Sequence, residues 1–186
     1  MQVVLVRHGD TDYTHCAKRG FFGLGINLAP LSELGLRQAE DVAGNEKLKG
    51  ADIIVSSPYT RAMQTASIIS RIANIPLIVD EDMHEWLPDL NFSNKFEEEK
   101  EMSADFLANE GKWPYGETRR WEPIDRLSHR VTSALKRYTH YDKIVVVCHA
   151  IVIYHLSGID TIPHCLVAEI DFTDDFKPAG WFVKSK

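Results

Sequence analysis

The stretch Val3-Val4-Leu5-Val6-Arg7-His8-Gly9 decides the fold. Four apolar β-formers in a row predict a short buried strand. The run then stops at an arginine, a histidine and a glycine. In an open α/β sheet, ligands sit outside the carboxyl ends of the strands. A strand ending this way carries a cation and an imidazole nucleophile to that edge. Gly9 lets the backbone turn sharply and lets another group approach closely. Many strands end in polar residues, so the weight comes from repetition: two further apolar runs end in the same manner.

Working outward, Asp52-Ile53-Ile54-Val55 predicts a second buried strand, broken at Ser56-Ser57-Pro58. Ser57 is placed to cap a helix, with Pro58 at its first position. Ala62, Ala66, Ile69 and Ala73 mark that helix's buried stripe. Arg61 falls in its first turn, where a cation opposes the helix dipole but can reach an anion at the strand edge. Lys143-Ile144-Val145-Val146-Val147-Cys148 predicts another strand, ending in His149. Ile75 to Val79 reads as a strand leading into Asp80-Glu81-Asp82-Met83-His84-Glu85-Trp86, a cluster of acids among which the residues alone do not choose. Ser32 caps a helix carrying Leu36, Ala39 and Ala43. Pro123 opens one with the stripe Ile124, Leu127, Val131, Leu135 and Tyr138. Cys165 to Phe172 reads as a strand, and Trp181-Phe182-Val183 as a last antiparallel edge strand. Strands alternating with helices predict an α/β fold, a three-layer α/β/α sandwich with a mostly parallel central sheet.

Two stretches interrupt the alternation. Asp10 to Pro30 holds Gly20, Gly23 and Gly25 and is expected to be a long functional loop without regular elements. Phe21 and Phe22 are expected to anchor it. Residues 88–118 read as a small cap inserted over the carboxyl edge of one domain spanning 1–186. Phe92, Phe96, Met102 and Phe106 suggest an amphipathic helix there, with Glu97, Glu98, Glu99 and Glu101 as its solvated face. Trp86, Trp113 and Trp121 suit core or lid packing more than a ligand pocket.

The chain has 186 residues, 44% hydrophobic and 26% charged, with a net charge of −6. That balance argues against a broad nucleic-acid footprint. No stretch approaches a membrane span, and no secretory signal precedes the first strand. Cys16, Cys148 and Cys165 fit neither a disulfide framework nor a zinc spacing. A reducing cytoplasm is the expected setting.

If the three strand ends are neighbours, Arg7, His8, Arg61 and His149 meet in one pocket. Arginine keeps its charge and its planar fork suits phosphate oxygens. Two arginines without obvious acidic partners point to a dianionic ligand, a small phosphorylated substrate. Their charge should keep His8 neutral and able to attack phosphorus. A backbone carbonyl on its other ring nitrogen would fix the tautomer. His149 can donate to the phosphoryl oxygens, and an acid must protonate the leaving alkoxide. No metal or other cofactor is needed.

At this point the chain resembles the histidine phosphatase (phosphoglycerate-mutase-like) superfamily. The resemblance rests on Leu5 to Thr11, on Leu31-Ser32-Glu33-Leu34-Gly35-Leu36-Arg37-Gln38-Ala39, on Ser56 to Ala66, and on Val145 to His149, with Gly116-Glu117-Thr118 as a fainter match. It implies a phosphohistidine on His8 and phosphate binding by Arg7, Arg61 and His149. It also implies Glu85 as the proton donor. Thr14, Leu28, Ala150 and the run Trp86-Leu87-Pro88-Asp89 depart from the family's usual residues and leave the substrate open. The chain is shorter than that family's glycolytic mutases, which favours a phosphomonoester hydrolase. A mutase-type phosphoryl transferase and a non-catalytic phospho-ligand-binding module are the alternatives.

Rival chemistries fit less well. Asp10-Thr11-Asp12-Tyr13-Thr14 matches a D-x-D-x-T pattern of magnesium-dependent phosphatases, but Arg7-His8-Gly9 stands between it and the strand. A cysteine nucleophile needs an arginine six positions on, where Phe22, Tyr154 and Asp171 stand. A zinc site of His8, His84 and His149 would be opposed by the two arginines.

Overall fold

The computed structural model describes residues 1–180; the strand expected at Trp181 to Val183 lies outside the described residues. The elements in chain order are β1 (Gln2–Arg7), α1 (Thr14–Lys18), α2 (Glu33–Ala43), β2 (Ile53–Ser56), α3 (Thr60–Ala73), β3 (Leu77–Val79), α4 (Glu99–Ala108), α5 (Ile124–Lys136), β4 (Lys143–Cys148), α6 (Ala150–Ser157) and β5 (Val167–Asp171). The sheet runs β3-β2-β4-β1-β5. The first four strands are parallel, and β5 lies antiparallel along β1.

The period-two alternation of each strand sorts its side chains to the two faces. Val3, Leu5, Ile53, Val55, Ile144 and Val146 pack with Leu127, Val131 and Leu135 of α5 and Val152, Ile153 and Leu156 of α6. Val4, Val6, Ile54, Val145 and Val147 pack on the other face with Val42 and Ala43 of α2 and Ala62, Ala66 and Ile69 of α3. The α/β sandwich expected from the strand–helix alternation is therefore the one observed. Val4, Ile54 and Val145 share one register, since Val4 pairs with Val145 and Val145 with Ile54. Each fully buried Val or Ile contributes roughly 1.5–3 kcal/mol. The adjacent ends of β1, β4 and β2 inherit the rigidity of this central block.

Several local expectations are corrected. The Asp10–Pro30 stretch is not irregular: it holds α1 and a 3-10 helix at Gly23–Leu28. Gly20 at φ +65° follows the first of these short elements and Gly23 at φ +52° opens the second, so the glycines punctuate structure and do not forbid it. Cys16 and Ile26 are buried and hold the stretch down. Phe22 does not anchor it, being 59% exposed. In α2, Leu36 is exposed, and Gly35, Ala39, Val42 and Ala43 form the buried side. Ser32 caps α2 as expected, its Oγ accepting from the Gly35 amide at 3.0 Å. The cap of α3 is Tyr59, not Ser57.

In the 88–118 stretch, α4 buries Met102 and Phe106, while Phe92 lies before the helix at φ +55°. The Phe106 ring packs between those of Trp86 and Trp121, with centroids 4.6 and 5.2 Å away. Trp86 and Trp121 are thus core residues that tie this segment to the sheet. Among the described residues, no helix is long and apolar enough to cross a membrane.

Candidate active site

β1 ends in Arg7 and hands the chain to His8, whose amide donates to the Cys148 carbonyl at 3.1 Å. The next residue turns away against α2. A Cβ on Gly9 would lie 2.6 Å from the Gly35 carbonyl, and one on Gly35 would lie 2.1 Å from the Asp10 carbonyl. Two glycines therefore face each other, and what approaches Gly9 is the start of α2. The polar residues of the two helical motifs fasten this turn. Thr65 Oγ1 accepts from Gly9 N at 3.1 Å, Gln38 Oε1 from Asp10 N at 2.8 Å, and Gln64 Oε1 from Leu31 N at 2.7 Å. Ser32 Oγ donates to Asp10 Oδ2 at 2.6 Å.

His8 is 5% exposed. Its Nδ1 lies 2.8 Å from the Gly9 carbonyl, which can only accept, so Nδ1 carries the proton. Nε2 is then the lone-pair nitrogen, and Arg61 Nε donates to it at 3.2 Å. Burial, followed by the Arg61 charge, pushes the His8 pKa down to about 3. The imidazole is neutral, as the sequence suggests, with burial the larger cause and arginine the second.

Arg61, the second residue of α3, joins the strand ends. Its Nη1 donates to Asn27 Oδ1 at 3.0 Å, and its Nη2 lies 3.4 Å from His149 Nδ1. Its guanidinium sits over the Tyr59 ring, 4.9 Å from the centroid. His149 follows β4 and is fully buried, its ring centroid 5.1 Å from that of His8. Burial and Arg61 hold it well below the usual imidazole range. Its Nε2 lies 2.7 Å from Ser57 Oγ, so the expected helix cap at Ser57 is instead an anchor for His149.

Arg7 donates from Nη1 to the Ile162 carbonyl, and its Nε is buried without a hydrogen-bond partner. Among the described residues, Arg120, Arg130 and Arg137 each pair with a buried carboxylate, of Asp89, Glu122 and Asp80. Arg7 and Arg61 pair with none. Among the described residues, the two guanidiniums near His8 thus make no ion pair with a carboxylate.

Glu85 lies after β3 in the half-buried part of the acidic cluster. Its Oε1 accepts from Trp86 N at 2.9 Å and its Oε2 from Ile151 N, in the first turn of α6, at 3.2 Å. Burial raises its pKa even against these two donors. Arg130 holds the backbone leading to it, donating to the Asp82 and His84 carbonyls at 2.7 and 2.9 Å. Asp80 accepts from Arg137 and Tyr138, Asp82 accepts from Arg137, and Glu81 is exposed. Among the described residues, His84 forms no metal-binding group with the other imidazoles, and its Nδ1 meets the Glu85 carbonyl at 2.7 Å.

Arg61 and Glu85 open onto a cleft of about 420 Å³, lined also by Tyr13, Leu24, Ile26, Leu87, Phe92 and Glu99. Residues of the 10–30 stretch and of the 88–118 stretch thus both line it. Glu99 departs from the solvated face expected of the acidic run, because it is half-buried in this cleft. His164 is a residue the sequence did not single out. Its ring centroid is 5.5 Å from that of His8, and its Nδ1 is 3.6 Å from Asp10 Oδ1. Asn27, Thr65 and Arg130 were likewise given no role, and Ser57 was read only as a helix cap; the one local signal was an arginine at position 130 inside an otherwise apolar helix face.

A sequence model of the histidine phosphatase superfamily (branch 1) matches residues 3–160. A Hydrogenobacter thermophilus protein named, provisionally, phosphoserine phosphatase 2 is 30% identical over 154 residues, 80% of this chain and 72% of that protein. An Escherichia coli O1:K1 protein named probable phosphoglycerate mutase GpmB is 28% identical over 206 aligned positions, covering 100% of this chain and 92% of that one. Among solved structures, a mycobacterial glucosyl-3-phosphoglycerate phosphatase superposes with a TM-score of 0.66 at 20% identity, covering 97% of this chain and 98% of that one.

Proposed function

The chain belongs to branch 1 of the histidine phosphatase superfamily, and from that premise we propose that it hydrolyses small phosphomonoesters through a phosphohistidine on His8. The observation that carries this reading is the lone-pair Nε2 of His8 set against a guanidinium that has no carboxylate partner. Arg7, Arg61 and His149 bind the phosphoryl oxygens. An incoming dianion takes over the Arg61 Nε–H that now points at Nε2, and this frees the lone pair for attack. The unpartnered Nε–H of Arg7 gains an acceptor in the same event.

Nε2 then forms a bond to phosphorus, and the bond from phosphorus to the alcohol oxygen breaks. Glu85, whose pKa burial raises, gives its proton to the leaving alkoxide. In the second half, the Glu85 carboxylate takes a proton from water. The water oxygen bonds to phosphorus, the N–P bond breaks, and phosphate leaves. Charge on the equatorial oxygens is met throughout by donors fixed beforehand. No step calls on a metal or other cofactor.

Residues 1–186 form one such domain in this reading, with residues 88–118 as its cap over the cleft. The three free cysteines fit a reducing cytoplasm. Transfer of the phosphoryl group to a second hydroxyl, as the name of the E. coli relative describes, is the second reading. Release of inorganic phosphate separates the two.

The test is p-nitrophenyl phosphate hydrolysis in excess EDTA, wild type beside His8→Ala. Wild-type activity that the mutation reduces by at least about 10⁴-fold is expected for loss of a covalent nucleophile. Activity that survives the mutation or needs magnesium would return attention to Asp10.

A further inference from the structure

The proposed reaction leaves one charge in the cleft unused. Glu99, the first residue of α4, lines the same cleft as Arg61 and Glu85. Its neighbours in the acidic run are accounted for. Glu98 accepts from the Lys95 amide at 3.1 Å, and Glu97 and Glu101 are exposed to water. Among the described residues, the Glu99 carboxylate makes no hydrogen bond and no ion pair. The one cation that acts on it there is Arg61. Lys100 also lines the cleft but is exposed and does not pair with it. Asp89, the other carboxylate at this wall, is already held by Arg120.

The inference rests on the phosphatase reading above. A phosphate dianion bound at Arg61 offsets the positive charge that draws on Glu99. The half-buried carboxylate then faces added negative charge and partial desolvation, and both favour a cation beside it. The substrate's alcohol part is the group in position to supply that cation, since its bridging oxygen must reach Glu85 in the same cleft. The neighbouring surfaces of Leu24, Leu87 and Phe92 limit solvent screening of such a pair. We propose that the cleft selects phosphomonoesters whose alcohol carries an ammonium group, with Glu99 as the specificity-determining counter-charge. Burial raises the Glu99 pKa in the empty cleft, in keeping with a carboxylate that lacks a partner.

The experiment compares kcat/KM for phosphoethanolamine and for propyl phosphate, which differ in having an ammonium or a methyl at the chain end. Wild type should prefer the aminated ester by about tenfold, the scale of one partly exposed charge pair. Glu99→Gln should bring the ratio close to one. Glu99→Lys should move preference to an anionic ester, tested with 2-phosphoglycolate. Equal kcat/KM for the two esters in wild type, or a ratio that survives Glu99→Gln, overturns the proposal. p-Nitrophenyl phosphate serves as the control for the underlying reading. If wild type hydrolyses it and ignores the ammonium, only the Glu99 proposal falls. If no ester is hydrolysed, the phosphatase reading falls and takes this one with it.

Discussion

The strand ends beneath the cleft and the 88–118 stretch beside it differ in how their charges are held. Beneath the cleft, Arg61 contacts two imidazoles and an amide oxygen, with no carboxylate among its hydrogen-bond partners. In the 88–118 stretch, Asp89 accepts from the amides of Asn91 and Ser93, and Arg120, just beyond the stretch, binds both its oxygens. The second arrangement is satisfied as it stands and serves structure. The first keeps positive charge in a buried place, at a cost the sheet must offset, and the proposed reaction supplies an anion to it. An unpaired buried cation is therefore the better guide to chemistry here than the number of charged residues, which favours the 88–118 stretch.

Beyond the loss expected at His8, the largest effect should come from Glu85→Gln. Proton donation is expected to be worth about 10²–10³-fold for an alkyl phosphate and under about tenfold for p-nitrophenyl phosphate. Equal losses for the two leaving groups would remove Glu85 from the acid role. The pH profile carries the sign of this assignment. Glu85 acts when protonated, so the alkyl-ester rate should fall as pH rises through its raised pKa. His8 acts when neutral, which its pKa of about 3 allows from about that pH upward in the empty site. Glu85→Gln should erase the alkaline limb and leave the acid one.

Ser57→Ala sharpens the comparison within the buried region itself. The hydroxyl can accept from or donate to His149 Nε2, so it supports either tautomer of that ring. With the phosphoryl group bound, Nδ1 must be a donor; with the cleft empty, Arg61 donates toward it. Loss of the hydroxyl should lower kcat about 10–100-fold with little change in KM. Ser57→Thr should recover most of the loss. If both variants lose activity to the same degree, the role is packing and not hydrogen bonding.

The smallest effect should come from the cleft's rim. Gly23 donates to the Asn94 carbonyl at 2.8 Å, and a Cβ there would lie 1.9 Å from the Phe92 carbonyl. Gly23→Ala must push the two walls apart and also strains a positive φ. KM should rise severalfold with kcat nearly intact, and thermal melting should drop by roughly 3–10 °C. A large loss of kcat instead would show that the rim and the buried site are not separable.

The sequence made the sheet and its three polar strand ends legible because β-branched runs that end abruptly have few other readings. Arg7, His8, Arg61 and His149 meet because the register of β1, β4 and β2 aligns those ends. Glu85 was reached through family resemblance alone. Local pattern does not reveal that Asp80 is occupied by Arg137 and Tyr138 while Glu85 is met only by backbone amides. Ser57 was misread because Ser-Pro is a local helix-start signal, and a partner 92 residues away outweighs it. The 10–30 stretch was misread for a similar reason. Its short helices depend on contacts with the 88–118 stretch, such as Gly23 with Asn94, and not on their own periodicity.

The strand order has a consequence for biosynthesis. β4 lies between β1 and β2, so the two earlier strands do not pair with each other. As the chain emerges from the ribosome, His8 and Arg61 appear well before the strand that brings them together. Until Cys148 has been made, β1 and β2 each present an unsatisfied parallel edge, a form prone to self-association. Closure of the sheet is then a late, long-range event, expected to be slow for its size. A nascent chain interrupted before His149 would carry the proposed nucleophile and none of its catalytic setting.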